Sequence, residues 1–215
     1  KLGILWELDS VTGQFRAALD LGYQTILDVT GETGAITYRP GMIPSEVGEL
    51  TLCPCVAGFK SWRAMAYHPE TEVFYVPLLV SCERTTFGAG PELVEGGGGV
   101  GLSRRTLMLH QGRPDGVGEL VAIGVDGVVR WRHQTRTAID SAVLTTGGGL
   151  VVAGDWDRFL YIHDARSGEI LFQTRMSSSV SGFPITYAVD GQQYLAVPVG
   201  TDPSLSLKHI SEPTR

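Results

Sequence analysis

The sequence predicts an all-β fold made of short antiparallel strands in repeated four-stranded units. Three observations carry that prediction. Apolar runs are short and recur between turns rich in Gly, Asp and Ser, as strands joined by tight turns do. No segment sustains the 3.6-residue period of an amphipathic helix, so helices are at most minor. Glycine, at 28 of 215 residues, falls between the runs as turn punctuation.

Taken along the chain, LGILWEL (2–8) reads as a first strand, leading into the turn LDSVTG (Leu8–Gly13). RAMAY (63–67), VFYVPLL (73–79), RTLMLH (105–110), ELVAI (119–123) and VVRWRH (128–133) read as one meander, interrupted by a Gly-rich loop from Gly88 to Gly101. The most legible stretch runs from 141 to 175, where SAVLTT, GLVVAG, FLYIHD and EILFQTR are separated by GG, DWDR and ARSG. In FLYIH, alternation sets Phe159, Tyr161 and His163 against Leu160 and Ile162. GLVV lacks that alternation, as a strand buried on both faces would. Four antiparallel strands in ~35–45 residues is the size of one propeller blade. FPITYAVDGQQYLAVPV (183–199) then opens a further unit, with VDGQ as its hairpin turn.

The turns repeat as well. LDSVTG (8–13) and HDARSG (163–168) share Asp, a hydroxyl residue and Gly at one spacing, each after a strand-like run. Asp can accept from the amides of its own turn, and Gly supplies positive φ. ELVAIGVDGVVRW has a shorter turn in the same layout and ends in Trp131; the equivalent aromatic of the later unit is Phe172.

Composition excludes several functions. The chain is 43% hydrophobic and 19% charged with net charge −6, ordinary for a globular protein with a sizeable core. Mild acidity supplies no basic footprint for nucleic acid or anionic membrane. No run of ~18 apolar residues is present to span a bilayer. GGGGVG (96–101) has neither a following helix nor a Lys-Ser/Thr, so it is not a phosphate-binding loop. A Gly-x-Ser-x-Gly elbow and a His-Glu-x-x-His pair are both missing. The five histidines are dispersed, and His163 reads as a satisfied strand histidine. Asp155 and Asp157 need no role beyond turn chemistry. The three cysteines, Cys53, Cys55 and Cys82, leave a metal clip, a redox pair, a disulfide and a cofactor-lining loop open. Cys-x-Cys with His68 lacks a fourth ligand at useful spacing, and the redox spacing Cys-x-x-Cys does not occur.

On the strength of AMAYHPETEVFYVP, LTTGGGLVVAGDWDRFLYIHDARSGEILF and GFPITYAVDGQQYLAVPVG, in that order, the chain resembles the quinoprotein dehydrogenases that depend on pyrroloquinoline quinone (PQQ). The repeated turns resemble the tryptophan-docking motif of that family's eight-bladed propeller. The resemblance covers residues 1–203 and implies a partial β-propeller of about four blades, from the C-terminal part of the catalytic domain. Leu205–Arg215 continues no upstream pattern and resembles a translated sequencing-adapter read-through, so 204–215 is expected to be a non-native or disordered tail.

The resemblance also implies site residues. Alcohol-oxidising members carry a disulfide bracketing this hairpin, where Cys53 and Cys82 stand. Such a bridge would contribute roughly 3–4 kcal/mol on the chain-entropy model and fit an oxidising compartment. Cys55 is then a free thiol or the true partner. Between the cysteines the family shows Gly-Gly-Lys-Asn-Trp, with Asn reaching the quinone; here Gly58-Phe59-Lys60-Ser61-Trp62 keeps Trp62 and puts Ser61 in place of Asn. A serine hydroxyl is shorter and offers a single donor. The family's Lys- or Arg-Asn-Gly lead-in, whose cation donates to the quinone oxygens, matches Lys1-Leu2-Gly3 except at Leu2. Asp140, with Ser141, stands where relatives place an aromatic or Asn before Gly-Gly near the cofactor, although its chemistry reads first as a surface-turn aspartate.

By resemblance, the parent is a periplasmic PQQ-dependent alcohol dehydrogenase acting on an alcohol, polyol or sugar, with calcium as Lewis acid, an aspartate base and a cytochrome c acceptor. The calcium ligands and catalytic aspartate are expected in the missing N-terminal half, so no catalytic residue is assigned here and the 215-residue chain alone is expected to be inactive. The alternative is a non-catalytic periplasmic propeller scaffold that binds other proteins.

Overall fold

A computed structural model describes residues 1–43, 48–88, 95 and 102–200. The Gly-rich loop therefore falls almost entirely outside the described residues, and the expected tail lies wholly outside them. No helix occurs among the described residues, which bears out the all-β reading. The strands are β1 (Ile4–Leu8), β2 (Phe15–Asp20), β3 (Leu27–Val29), β4 (Ile36–Tyr38), β5 (Gly48–Leu52), β6 (Ala66–His68), β7 (Val73–Leu79), β8 (Ser81–Phe87) and β9 (Leu102–Leu109). They continue as β10 (Gly118–Gly124), β11 (Val129–Thr135), β12 (Leu144–Thr145), β13 (Leu150–Gly154), β14 (Phe159–Asp164), β15 (Ile170–Arg175), β16 (Ile185–Val189) and β17 (Gln192–Ala196).

The chain divides into two compact units, one of residues 1–61 and 80–114 and one of residues 62–79 and 115–215. In the first, β1 pairs with β2, β3 with β4, and β5, β8 and β9 form a three-stranded antiparallel sheet. The RTLMLH run is thus β9 and pairs with β8, not with the meander assigned to it from sequence. The reason is local: β8, SCERTTF, is too polar and weakly alternating to announce a strand, yet it supplies the neighbour that β9 follows.

In the second unit, β11, β10, β7 and β6 form one four-stranded sheet and β12 to β15 another, with β16–β17 a further hairpin. β7 and β10 pair from Leu79↔Gly118 to Val73↔Gly124, although the chain leaves this unit between them. β12 to β15 lie in sequence order, the blade expected at 141–175. Leu160, Tyr161 and His163 are all buried, so β14 is covered on both faces. The β16–β17 loop is Asp190-Gly191, both at positive φ (50° and 79°), the mirror-image turn that the VDGQ stretch called for.

The repeated turns are built alike. Asp9 Oδ1 accepts from the Val11 and Thr12 amides and the Thr12 hydroxyl; Asp164 Oδ1 accepts from the Arg166 and Ser167 amides and the Ser167 hydroxyl. The Thr12 amide first, then the Arg16 guanidinium on Oδ2 and the other turn bonds hold the Asp9 carboxyl down at about 2, and the turn bonds of Asp164 lower its carboxyl. Each turn closes on a glycine at positive φ, Gly13 at 71° and Gly168 at 76°.

The core of the second unit sits between its two four-stranded sheets and includes Tyr75, Leu120, Ile139, Val151 and Ala165, with Trp131 packed against it. Trp131 Nε1 and the Tyr75 hydroxyl both donate to the Ala165 carbonyl, at 3.1 and 2.8 Å. The tryptophan of one sheet thereby docks on the turn of the next.

Candidate functional site

In the first unit, Lys1 and the loop at 53–59 form one assembly. The Phe59 amide donates to the Lys1 carbonyl at 2.8 Å, and Phe59 is buried. Gly58 has φ of 81°, and a Cβ there would lie 2.8 Å from Lys1 Cβ, so glycine is what lets the two segments meet. The Lys1 side chain is exposed, with Nζ 3.5 Å from the Val56 carbonyl. A cleft of about 320 Å³ opens beside it, lined by Lys1, Ile26, Leu52, Pro54, Cys55 and Glu83 among others.

Cys53 and Cys82 are joined in a disulfide. Cys55 is a buried free thiol that accepts from the Ser81 hydroxyl at 3.1 Å. Among the described residues, the one group of Cys, His and acidic side chains close enough to share an ion is Cys53, Cys82 and His110. It does not fit a metal. Both sulfurs are spent in the disulfide, His110 Nδ1 accepts from the Gly112 amide at 3.0 Å, and Nε2 is 3.1 Å from the Tyr23 carbonyl. Ser61, the last residue of this unit's first segment, is half-buried, and its carbonyl accepts from Lys60 Nζ at 2.9 Å.

In the second unit the structure brings Trp62 and Asp140 together through a residue that sequence reading passed over. Asp140 is 1% exposed, which corrects its reading as a surface-turn aspartate. Its Oδ1 accepts from Arg63 Nε at 2.6 Å and also from Arg63 Nη2. Arg63 is itself only 7% exposed. Its guanidinium carbon lies 5.0 Å from the centroid of the Trp62 ring, within cation–π range. Trp62 is 56% exposed, and Phe183, equally exposed, has its ring centroid 6.5 Å away.

The backbone explains how Asp140 stays buried. Its amide donates to the Gly154 carbonyl at 3.0 Å, the Gly154 amide donates to Ser141 Oγ at 2.8 Å, and the Ala142 amide donates to the Gly182 carbonyl at 2.7 Å. The Ile139–Ala142 segment is therefore pinned by main-chain bonds while the carboxylate turns to Arg63. The sequence signal lay in the departure itself: Asp140 is a charge in an otherwise apolar and small-residue run, and such a charge asks for a partner. The nearest cation in sequence is Arg136, which binds Asp157 instead.

Other buried polar groups in this unit are structural. Asp155 accepts from the Phe159 amide at 2.9 Å and the Tyr161 hydroxyl at 2.9 Å, and burial raises its carboxyl above the ordinary range. Asp155 thus does more than turn chemistry. Burial and the neighbouring His163 push His133 down to about 4, and burial lowers His163 too. His163 Nδ1 is 3.0 Å from the Gly168 carbonyl, but its Nε2 has no partner among the described residues, so it is half satisfied.

Residues 116–195 match the family model of the PQQ glucose/ethanol/alcohol dehydrogenase β-propeller domain. The quinoprotein alcohol dehydrogenase PedH of Pseudomonas putida is 31% identical over 92% of this chain and 34% of its own length. The lupanine 17-hydroxylase [cytochrome c] of a Pseudomonas species is 31% identical over 98% of this chain and 30% of its own length. A europium-containing methanol dehydrogenase structure superimposes with a TM-score of 0.80 at 25% identity, covering 91% of this chain and 34% of that one. The chain therefore spans about a third of the length of the curated relatives it matches. The resemblance seen in the sequence is borne out, and the four-stranded sheets are blades of a partial β-propeller.

Proposed function

We infer that this chain is the C-terminal part of the propeller domain of a PQQ-dependent alcohol dehydrogenase, whose parent oxidises an alcohol, polyol or sugar and passes the electrons to a cytochrome c. The observation that carries this reading is an exposed indole, Trp62, backed by the buried Arg63 guanidinium within a quinoprotein-type propeller. PQQ is a planar, electron-poor aromatic, and an exposed electron-rich indole fits such a group. When bound, the quinone supplies the two-electron acceptor.

The chain's own residues would bind and orient. Trp62 offers its face. Ser61 offers one hydroxyl where a longer amide is the family's choice. Lys1 is exposed on a backbone fixed by Phe59, and its ammonium would supply a cation for negative charge developing on a bound quinone. Asp140, being buried and paired, would act through Arg63 and not by touching the cofactor. The Cys53, Cys82 and His110 group does not fit a metal, and a calcium ion, or a lanthanide as in the europium-containing relative, would be held by other parts of the parent. The Cys53–Cys82 disulfide supports a periplasmic location, since such bridges persist in oxidising compartments. A scaffold has no need of a partly exposed indole held over a locked cation, so the scaffold reading has no observation in its favour.

The test is a PQQ titration of the full-length parent, with and without calcium, followed by tryptophan fluorescence. Saturable, calcium-dependent quenching is expected, with dye-linked oxidation of alcohols in the loaded protein. A folded parent that shows no quenching overturns the reading.

A further inference from the structure

Phe59 stands where the family's Gly-Gly-Lys run has its second glycine. A large aromatic in place of glycine needs a site to fill, and the first unit shows what that site is. Phe59 is 1% exposed. Its ring centroid lies 5.9 Å from that of Tyr23 and 6.4 Å from that of His110, both edge to face, and Tyr23 and His110 stand 5.2 Å apart in the same way. The two outer rings are held in turn. His110 Nε2 is 3.1 Å from the Tyr23 carbonyl, and Nδ1 accepts from the Gly112 amide at 3.0 Å. An imidazole nitrogen of His110 also lies within 4.8 Å of both sulfurs of the Cys53–Cys82 bridge. The ring of Phe59 is therefore backed by an anchored pair.

Its other contact is the segment that carries Lys1. A Cβ on Gly3 would lie 3.2 Å from Phe59 Cδ2, so the ring rests against the Gly3 backbone. The Phe59 amide donates to the Lys1 carbonyl at 2.8 Å, and Phe59 thus holds the segment at two points, one polar and one apolar. Leu2, where the family has Asn, offers no side-chain hydrogen bond to help. The Lys1 side chain itself is exposed and held loosely, its Nζ being 3.5 Å from the Val56 carbonyl, the outer limit of a hydrogen bond. A lysine has a flexible four-carbon stem, and a ligand that uses its ammonium must order that stem. Fixing the root of the stem lowers that cost. The placement of the cation rests on the backbone, and the backbone rests on Phe59.

We propose that Phe59 is a positioning residue for the Lys1 cation: its buried ring, set between the Tyr23–His110 pair and Gly3, fixes the root of Lys1 so that the ammonium is presented to an anionic ligand. This rests on the reading above that the ligand is PQQ. Phe59 acts through Lys1, and it acts before ligand arrives, so its effect has a signature in the empty protein.

The experiment uses the full-length parent with isotope-labelled dimethyl groups on its lysines, the Lys1 resonance being assigned by its loss in Lys1→Arg. In Phe59→Ala that resonance is expected to move to the position and narrow width of an unrestrained dimethyl-lysine. PQQ binding by the unlabelled variant is expected to weaken about tenfold. Phe59→Leu keeps most of the buried volume, should fall between, and stands in if the alanine variant does not fold. A cycle with Lys1→Gln separates positioning from packing. In that background Phe59→Ala should change PQQ affinity less than about twofold, because no cation is left to position. Equal losses in both backgrounds, or a Lys1 resonance unmoved in both Phe59 variants, overturn the proposal. If the parent itself binds no PQQ, the cofactor reading falls with it, and the Lys1 resonance alone decides whether Phe59 fixes the cation.

Discussion

Glycine shows how a single residue carries the repeat. Gly13 and Gly168 close equivalent turns at nearly equal φ, so a side chain strains both alike. Their surroundings differ. A Cβ at Gly13 meets nothing within 4 Å, whereas one at Gly168 would lie 2.6 Å from the Trp131 ring that docks there. Gly13→Ala should therefore cost about 1 kcal/mol, the left-handed penalty alone. Gly168→Ala should cost about 3 kcal/mol or more, because strain and displacement of the indole add. Urea unfolding of the full-length parent measures both, and equal losses would show that Trp131 docking is not what the second glycine serves.

At the scale of elements, β11 and β14 meet through an aromatic stack. Trp131 lies 5.5 Å from His163, and His133 lies 4.7 Å from both His163 and Tyr161. Both histidines are lowered in the fold, His133 to about 4, chiefly by burial. In the unfolded chain they take up protons below about 6.5 while the folded chain does not. Stability from the neutral stack is thus fully present above pH ~6.5 and is lost as pH falls from there through about 4. His133→Phe keeps the packing and removes the titration. The melting temperature of that variant should fall less steeply between pH 6.5 and 4 than the parent's, and parallel curves would remove His133 from the acid response.

For the whole molecule, the decisive fact is that the chain spans about a third of its relatives. A propeller cut open leaves blade faces that a neighbour would cover. Leu171, Phe172, Ile185, Tyr187 and Tyr194 are all large, apolar and exposed on β15 to β17. The 215-residue chain on its own, spanning about a third of its relatives, should accordingly self-associate and oxidise no alcohol. Size-exclusion chromatography with a dye-linked assay checks both, and a clean monomer that oxidises ethanol would refute the expectation.

Local chemistry made the blades legible. Alternation, Asp-to-Gly turns and the VDGQ hairpin act over two to six neighbouring residues, and β12 to β17 followed from them. The Cys53–Cys82 bridge, Trp62 and Lys1 were also named in advance, by resemblance to a family. The exchange of β9 into a sheet with β8 and β5, the burial of Asp140 and the part played by Arg63 were not. Each depends on which distant segment comes alongside. A strand's partner is set by sheet assembly, and a charge can be buried only where its counterion arrives from far along the chain. No periodicity in one segment encodes that meeting, which exists only once the blades have packed.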